Sequence, residues 1–274
     1  MVTALSTLTR LETLHLDIAS NPGWENRPLP QPTYTVLPSL TSLRFIGSNE
    51  YSENFLSRID APLLDKLNSA FNCFDPDMAL DTPQLLRFTS RIPKFQAPDK
   101  AHIRIDVPYY DYFYKVSIKF SWPEQISNAL ELGIHCLSGE YVPCLVQFCH
   151  PPFLPLPTLK YLYIGGQFSP QLHLDDIGNT RWLELLRPFT AVENLYLTKE
   201  FAPEVAHALQ NLAGEIAMVL PILVNVFIEP ESQPSGSVQE AIRQFAAARQ
   251  LSGHPIVIYH WEGRQVIEQD SDGR

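Results

Sequence analysis

Leu37-Pro38-Ser39-Leu40-Thr41-Ser42-Leu43-Arg44-Phe45 is the stretch that decides the fold of this 274-residue chain. Its leucine spacing returns as Leu156-Pro157-x-Leu159-x-x-Leu162-x-Ile164 and as Leu220-Pro221-x-Leu223-x-x-Val226-x-Ile228. Repetition at a few tens of residues marks a solenoid, in which similar units bury one shared core. In each copy a proline-bearing turn leads into an alternating apolar pair, the pattern of a short strand with one buried face.

The same unit opens the chain as Leu5-x-x-Leu8-x-x-Leu11-x-x-Leu14-x-Leu16. Aligned on Leu14, the later units fall at Leu43, Leu67, Phe88, Ile103, Leu162, Leu195 and Val226, with a weaker unit at Leu132. The first steps are 29, 24 and 21 residues, in the range of leucine-rich repeats. Pro38, Pro62, Pro83, Pro98, Pro157 and Pro221 each stand five residues before an aligned position. Proline fixes φ there, in a loop that needs no ladder donor. The pattern predicts an α/β fold: an irregular leucine-rich-repeat solenoid, with short parallel strands in a curved sheet and helices and loops on the convex side. The domain is expected to span residues 1–262, followed by a loose polar tail over 263–274.

Helical spacing is expected over Tyr51–Ile59, Asp175–Leu186 and Pro203–Leu212. A further helix follows the Ser237-x-x-Glu240 capping box, whose side chains satisfy backbone amides at a helix start. Between Ala101 and Ile134 the chain reads as strand after strand: His102–Val107, Lys115–Phe120 and Leu130–Ile134. Ile256–Trp261 reads as a last strand closing the stack.

Composition narrows the function classes. Hydrophobic residues make up 45% of the chain, as in folded domains rather than disordered ones. The net charge of −10 disfavours a nucleic-acid backbone as partner. Four cysteines are too few for a disulfide framework in a chain of this length and fit a reducing compartment, cytoplasmic or nuclear. No signal peptide and no membrane span is read: the longest apolar run, Ala217–Ile228, contains Pro221 and Asn225, and a span needs about 20 apolar residues.

Few residues offer chemistry. His135, Cys136, Cys144, Cys149 and His150 cluster in sequence, but their spacing matches no paired zinc-ligand pattern. No metal site and no cofactor is assigned. Cys149-His150 places a thiol beside an imidazole, yet neighbours in sequence rarely present both side chains to one point. Gly165-Gly166 lacks the lysine and further glycine of a phosphate cradle and reads as a strand-to-loop turn. Asp175-Asp176 and the Asp75/Asp77 pair read as a helix cap and a turn. No phosphate-binding loop, nucleophile elbow or dinucleotide fingerprint is present. The chain reads as non-enzymatic, with no catalytic residue.

Side chains alternate along strands, so the residues between the leucines point away from the core. They run His15, Arg44, Asn68, then Arg87, Thr89 and Arg91, then His102, Arg104 and Asp106, then Lys115 and Lys119. The last units give Tyr161, Tyr163, Asn194, Tyr196, Asn225, Phe227 and Glu229. Arginine and aromatic residues anchor interfaces more than other types do. Arg87, Arg104, Lys119, Tyr161, Tyr163, Tyr196 and Phe227 are therefore the candidate partner-binding residues.

The run from Trp182 to Leu197 (WLELLRPFTAVENLYL), followed by Lys199–Pro203, resembles the leucine-rich-repeat region of F-box proteins from mushroom-forming (basidiomycete) fungi. Gln233–Gly236, Val238–Ile242 and Ala247–Ile256 resemble it too, and Asp60–Leu64 and Asp81–Leu85 fit it. The likeness covers about Ala4 to Trp261. It implies a repeat region that selects a protein for ubiquitination, and it supplies no catalytic residue. In that family a Skp-type adaptor binds an F-box ahead of the repeats. This sequence opens directly on a repeat, so adaptor binding is expected only with an F-box upstream, and the first repeat is expected to leave an apolar end that such a segment would cover. The expected partner is a protein, not nucleic acid or membrane. The alternative expectation is a stand-alone leucine-rich-repeat scaffold or binding protein with no ubiquitin role.

Overall fold

The computed structural model describes residues 5, 7–18, 34–72, 82–106, 113–122, 125–137, 141–149, 156–167, 179–212, 219–230 and 236–261. The expected tail over 263–274, the Asp75/Asp77 turn and the Asp175-Asp176 cap lie outside them.

The described chain runs β1 (Thr13–Asp17), β2 (Thr35–Val36), β3 (Ser42–Gly47), α1 (Asn49–Leu56), β4 (Ile59–Asp60), β5 (Lys66–Asn72) and α2 (Pro83–Ser90). It continues with β6 (Lys100–Asp106), β7 (Phe113–Trp122), β8 (Gln125–Leu137), α3 (Tyr141–Cys149), β9 (Tyr161–Gln167) and α4 (Asn179–Leu186). It closes with β10 (Asn194–Leu197), α5 (Ala202–Gln210), β11 (Asn225–Ile228), α6 (Gly236–Leu251) and β12 (Val257–His260). Among the described residues ten strands form one sheet in the order β1-β3-β5-β8-β7-β6-β9-β10-β11-β12, and β2 pairs with β4 apart from it. Among the described residues no helix is long and apolar enough to cross a membrane.

The recurring phrase is a turn followed by a strand. Leu40 N donates to Leu37 O, Leu159 N to Leu156 O, and Leu223 N to Leu220 O, at 3.1–3.2 Å. Proline at the second position of such a turn has its φ already set and gives up no needed donor. Both leucines of each turn are buried. The carbonyl just before one strand then takes two amides of the next unit: Glu12 O from Thr41 N and Ser42 N, Lys160 O from Glu193 N and Asn194 N, Glu193 O from Val224 N and Asn225 N. The units therefore dock through one repeated backbone bond pattern.

Alternation then sorts the two faces. Leu14, Leu43, Leu67, Leu130, Phe120, Ala101, Leu162, Leu195, Val226 and Ile258 stand in one register row across all ten strands. That row faces the helices, and its members from Leu43 to Val226 are buried in one core with Phe55, Leu85, Phe88, Leu145, Trp182, Val205 and Phe245.

Three expectations need correction. Phe88 is not on a strand; it is buried from the helix α2. Pro83 stands in the first turn of that helix, where its fixed φ suits the helix. The Glu53 carboxylate, on α1, accepts from Gln84 N and Leu85 N at 2.6 and 3.0 Å and so caps it. Second, the row positions in β6 and β8 are Ala101 and Leu130, each two residues before the aligned Ile103 and Leu132. A shift of two keeps the same face, so the pattern of faces survives the error. Third, the sheet is not parallel throughout. β6, β7 and β8 form an antiparallel meander, so β5 pairs in parallel with β8 and β9 with β6.

Candidate functional site

The face away from the helices carries a second register row of ten residues. It runs His15, Arg44, Asn68, Glu131, Lys119, His102, Tyr163, Tyr196, Phe227 and Tyr259. Its second half is a continuous stack of rings. Centroids lie 4.3 Å apart for His102/Tyr163, 4.2 Å for Tyr163/Tyr196, 4.2 Å for Tyr196/Phe227 and 5.0 Å for Phe227/Tyr259, with planes within 17° of parallel. Neighbouring strands lie about 4.8 Å apart, so identical positions in register bring ring over ring. The rings stand upright on the sheet, pressing faces together and turning edges outward.

Trp261 closes over this stack. Its ring meets Tyr196 at 5.2 Å and 79°, and Tyr163 at 6.1 Å and 63°. Its Nε1 donates to Leu197 O at 3.2 Å, which fixes the indole in place. Burial pushes the Tyr163 and Tyr196 hydroxyls above the usual tyrosine range; neighbouring tyrosines add to the rise at Tyr163, whereas the hydrogen bond with Tyr163 works against it at Tyr196. Both phenols are therefore neutral donors at physiological pH.

The first half of the row is ionic and amide. Asn68 Nδ2 donates to Glu131 Oε2 at 3.0 Å, and Glu131 faces Lys119 in register. One step along the strands, Arg104 Nε donates to both oxygens of Asp106, at 2.7 and 2.9 Å. Between these side chains Ala70, Gly133 and Ser117 pair in register and are buried, so small residues floor this part of the face.

Six of the seven candidate residues come together here. Arg104, Lys119, Tyr161, Tyr163, Tyr196 and Phe227 share the face, with Lys100 Nζ over the Tyr161 ring at 5.8 Å from its centroid. Arg87 does not. It is exposed on α2, on the helix side of the sheet. Thr89 is on the same helix and hydrogen-bonds back to Leu85 O and Leu86 O, and Arg91 caps its C-terminus. Tyr259, Trp261 and Glu131 were missed. The signal for Tyr259 and Glu131 was the strand parity that had found Phe227 and Lys119.

The cysteine–histidine segment splits across the sheet. Cys136 is buried on the core side, its Sγ 3.8 Å from Tyr114 O, whereas His135 points to the other face, its Nδ1 3.0 Å from Asn72 Oδ1. Burial raises the Cys149 thiol to about 12, so it stays protonated at neutral pH. Among the described residues no His, Cys, Asp or Glu group converges in a way that could hold a metal ion. Gly165-Gly166 is part of β9, not a turn. A Cβ on Gly166 would lie 1.8 Å from Ile105 O, and one on Gly165 would lie 2.6 Å from Thr198 Cγ2. Both glycines allow β6, β9 and β10 to approach closely.

The family models, curated proteins and solved structures compared with this chain include none that matches it.

Proposed function

We propose that this chain is a non-enzymatic protein-recognition module of the leucine-rich-repeat solenoid kind, acting as the substrate-binding repeat region of an F-box-like ubiquitin-ligase receptor. The observation that carries the recognition reading is the five-ring stack, capped by Trp261, on a sheet face away from the helices. Aromatic rings fixed on a rigid scaffold give contact area at little cost in side-chain entropy. The repeated turn, the shared row of core residues and the docking carbonyls support the repeat architecture. The ubiquitin role rests on the likeness to fungal F-box proteins set out above, and a Skp-type adaptor joins only through an F-box.

The test is affinity purification with quantitative mass spectrometry, comparing wild type with Tyr163→Ala/Tyr196→Ala. A distinct set of proteins should fall at least tenfold in the variant, and ubiquitin-remnant peptides from that set should rise with wild type alone. Identical partner lists would remove the reading. Because each ring is stacked on both sides, the double variant should also lose about 2 kcal/mol of stability. The comparison is therefore made below its melting range.

A further inference from the structure

The helix-free face is charged against the rest of the chain. Its described strand positions hold Arg44, Lys66, Lys100, Arg104, Lys115 and Lys119 against Asp17, Asp106 and Glu131. The chain as a whole is acidic, with 30 Asp and Glu against 20 Lys and Arg. Two of the three carboxylates are also occupied, Asp106 by Arg104 and Glu131 by Asn68. Arg44, Lys66 and Lys115 are exposed, and none has a carboxylate partner among the described residues. An excess of cations held on one face of an anionic protein focuses potential there and steers anionic partners to it.

The aromatic half adds to the same sign. A ring's face is negative and its edge positive. Stacking buries the faces against one another and turns the edges outward, with Trp261 packed against Tyr163 and Tyr196 and the edges of His102, Phe227 and Tyr259 left beside it. Such a ladder suits carboxylate and carbonyl oxygens and does not suit a cation, which needs an open ring face. Within the stack it also offers no slots for nucleobases, since single-stranded nucleic acid binds by stacking on free faces.

Resting on the recognition reading above, we infer that the partner presents an acidic, extended polypeptide segment that lies across the strands, with carboxylates over Arg44 and Lys66, diagonal neighbours on β3 and β5, and its remaining length along the ladder. From Arg44 on β3 to Tyr259 on β12 there are eight strand spacings, about 38 Å, which about eleven extended residues would cover.

A phage-displayed library of random twelve-residue peptides, panned on the full chain, tests this. Enriched peptides should be net acidic. Fluorescence anisotropy with the best peptide should show at least a tenfold weaker Kd for Arg44→Glu/Lys66→Glu and a smaller loss for the corresponding glutamine double variant. Circular dichroism checks that both double variants keep the fold. Enriched peptides that are neutral or basic, or a Kd indifferent to charge reversal, would overturn the inference. If such peptides still need Tyr163 and Tyr196, the recognition reading stands alone. Failure to enrich any peptide, or binding that depends on neither set of residues, removes both. Tighter, salt-sensitive binding of a twelve-nucleotide oligo-dT, lost in the charge reversal, would make the face a nucleic-acid site and overturn the inference as well.

Discussion

The same row of the sheet is held by ions over β3 to β7 and by stacked rings over β6 to β12. Like charges one strand spacing apart repel, so the first part interleaves Arg44, Asn68, Glu131 and Lys119. Like rings at that spacing attract, so the second part repeats Tyr163, Tyr196, Phe227 and Tyr259. The backbone differs in the same sense. β9 to β12 are parallel and in strict register, whereas the centre is an antiparallel meander with a register shift between Phe120 and Trp122. A regular parallel array lets one residue type recur at one position; an interrupted array requires complementary types.

The sharpest way to break the regular half is through Arg249. It is fully buried, and its guanidinium donates to Leu220 O, Pro221 O, Leu223 O and His254 O at 3.0–3.3 Å. Three of those carbonyls belong to the turn that starts β11, where Leu220 holds a left-handed φ of 50°. Arg249→Ala strands these acceptors and should cost about 4 kcal/mol, read by urea unfolding. Hydrogen exchange should rise first in β11, α6 and β12 and leave β6–β8 protected. Uniform loss across the sheet would show that the two regions unfold as one unit.

The seam between the regions is β6 against β9. Gly166→Ala would drive a methyl into the Ile105 carbonyl and should cost about 3 kcal/mol. Exchange should rise on both sides of the seam, in Ile103–Asp106 and Ile164–Gln167. A neutral effect would mean that β6 and β9 separate without loss, and the contrast would then describe two independent bodies.

The smallest effect is on pH dependence, and it should have opposite sign in the two regions. Burial, then the charge of Lys115, lowers His135 below its usual value. The unfolded state therefore binds the proton more readily, and the central region loses stability as pH falls through about 6.5 and below. Tyr163 and Tyr196 are raised by burial. The unfolded phenols ionise first, so the ladder loses stability as pH rises past about 10. Exchange mapped at both extremes should find acid opening in β7–β8 and alkaline opening in β9–β10. Tyr163→Phe should flatten the alkaline limb alone.

Much of the candidate site could be read before the fold was seen, because parity is local. The residue between two buried positions of a strand must point to the other face, which placed Arg104, Lys119, Tyr161, Tyr163, Tyr196 and Phe227. Arg87 failed because Leu85 and Phe88 are spaced for a helix as well as for a loose repeat. The capping carboxylate of Glu53, far off in sequence, stabilises the helix. Trp261 and Arg249 carried no local mark of their roles, since each acts on carbonyls of a different unit.

The sequence by itself determined the strands of the main sheet, though it also read one at Phe88, with their buried faces and the turns that start several of them, since alternation and proline's fixed φ act within a few residues. Only the tertiary structure decided which strands are neighbours, that β7 and β8 stand between β5 and β6, and that five rings form one stack. Those outcomes depend on contacts between residues tens of positions apart, and spacing along the chain does not encode which distant strand supplies the partner.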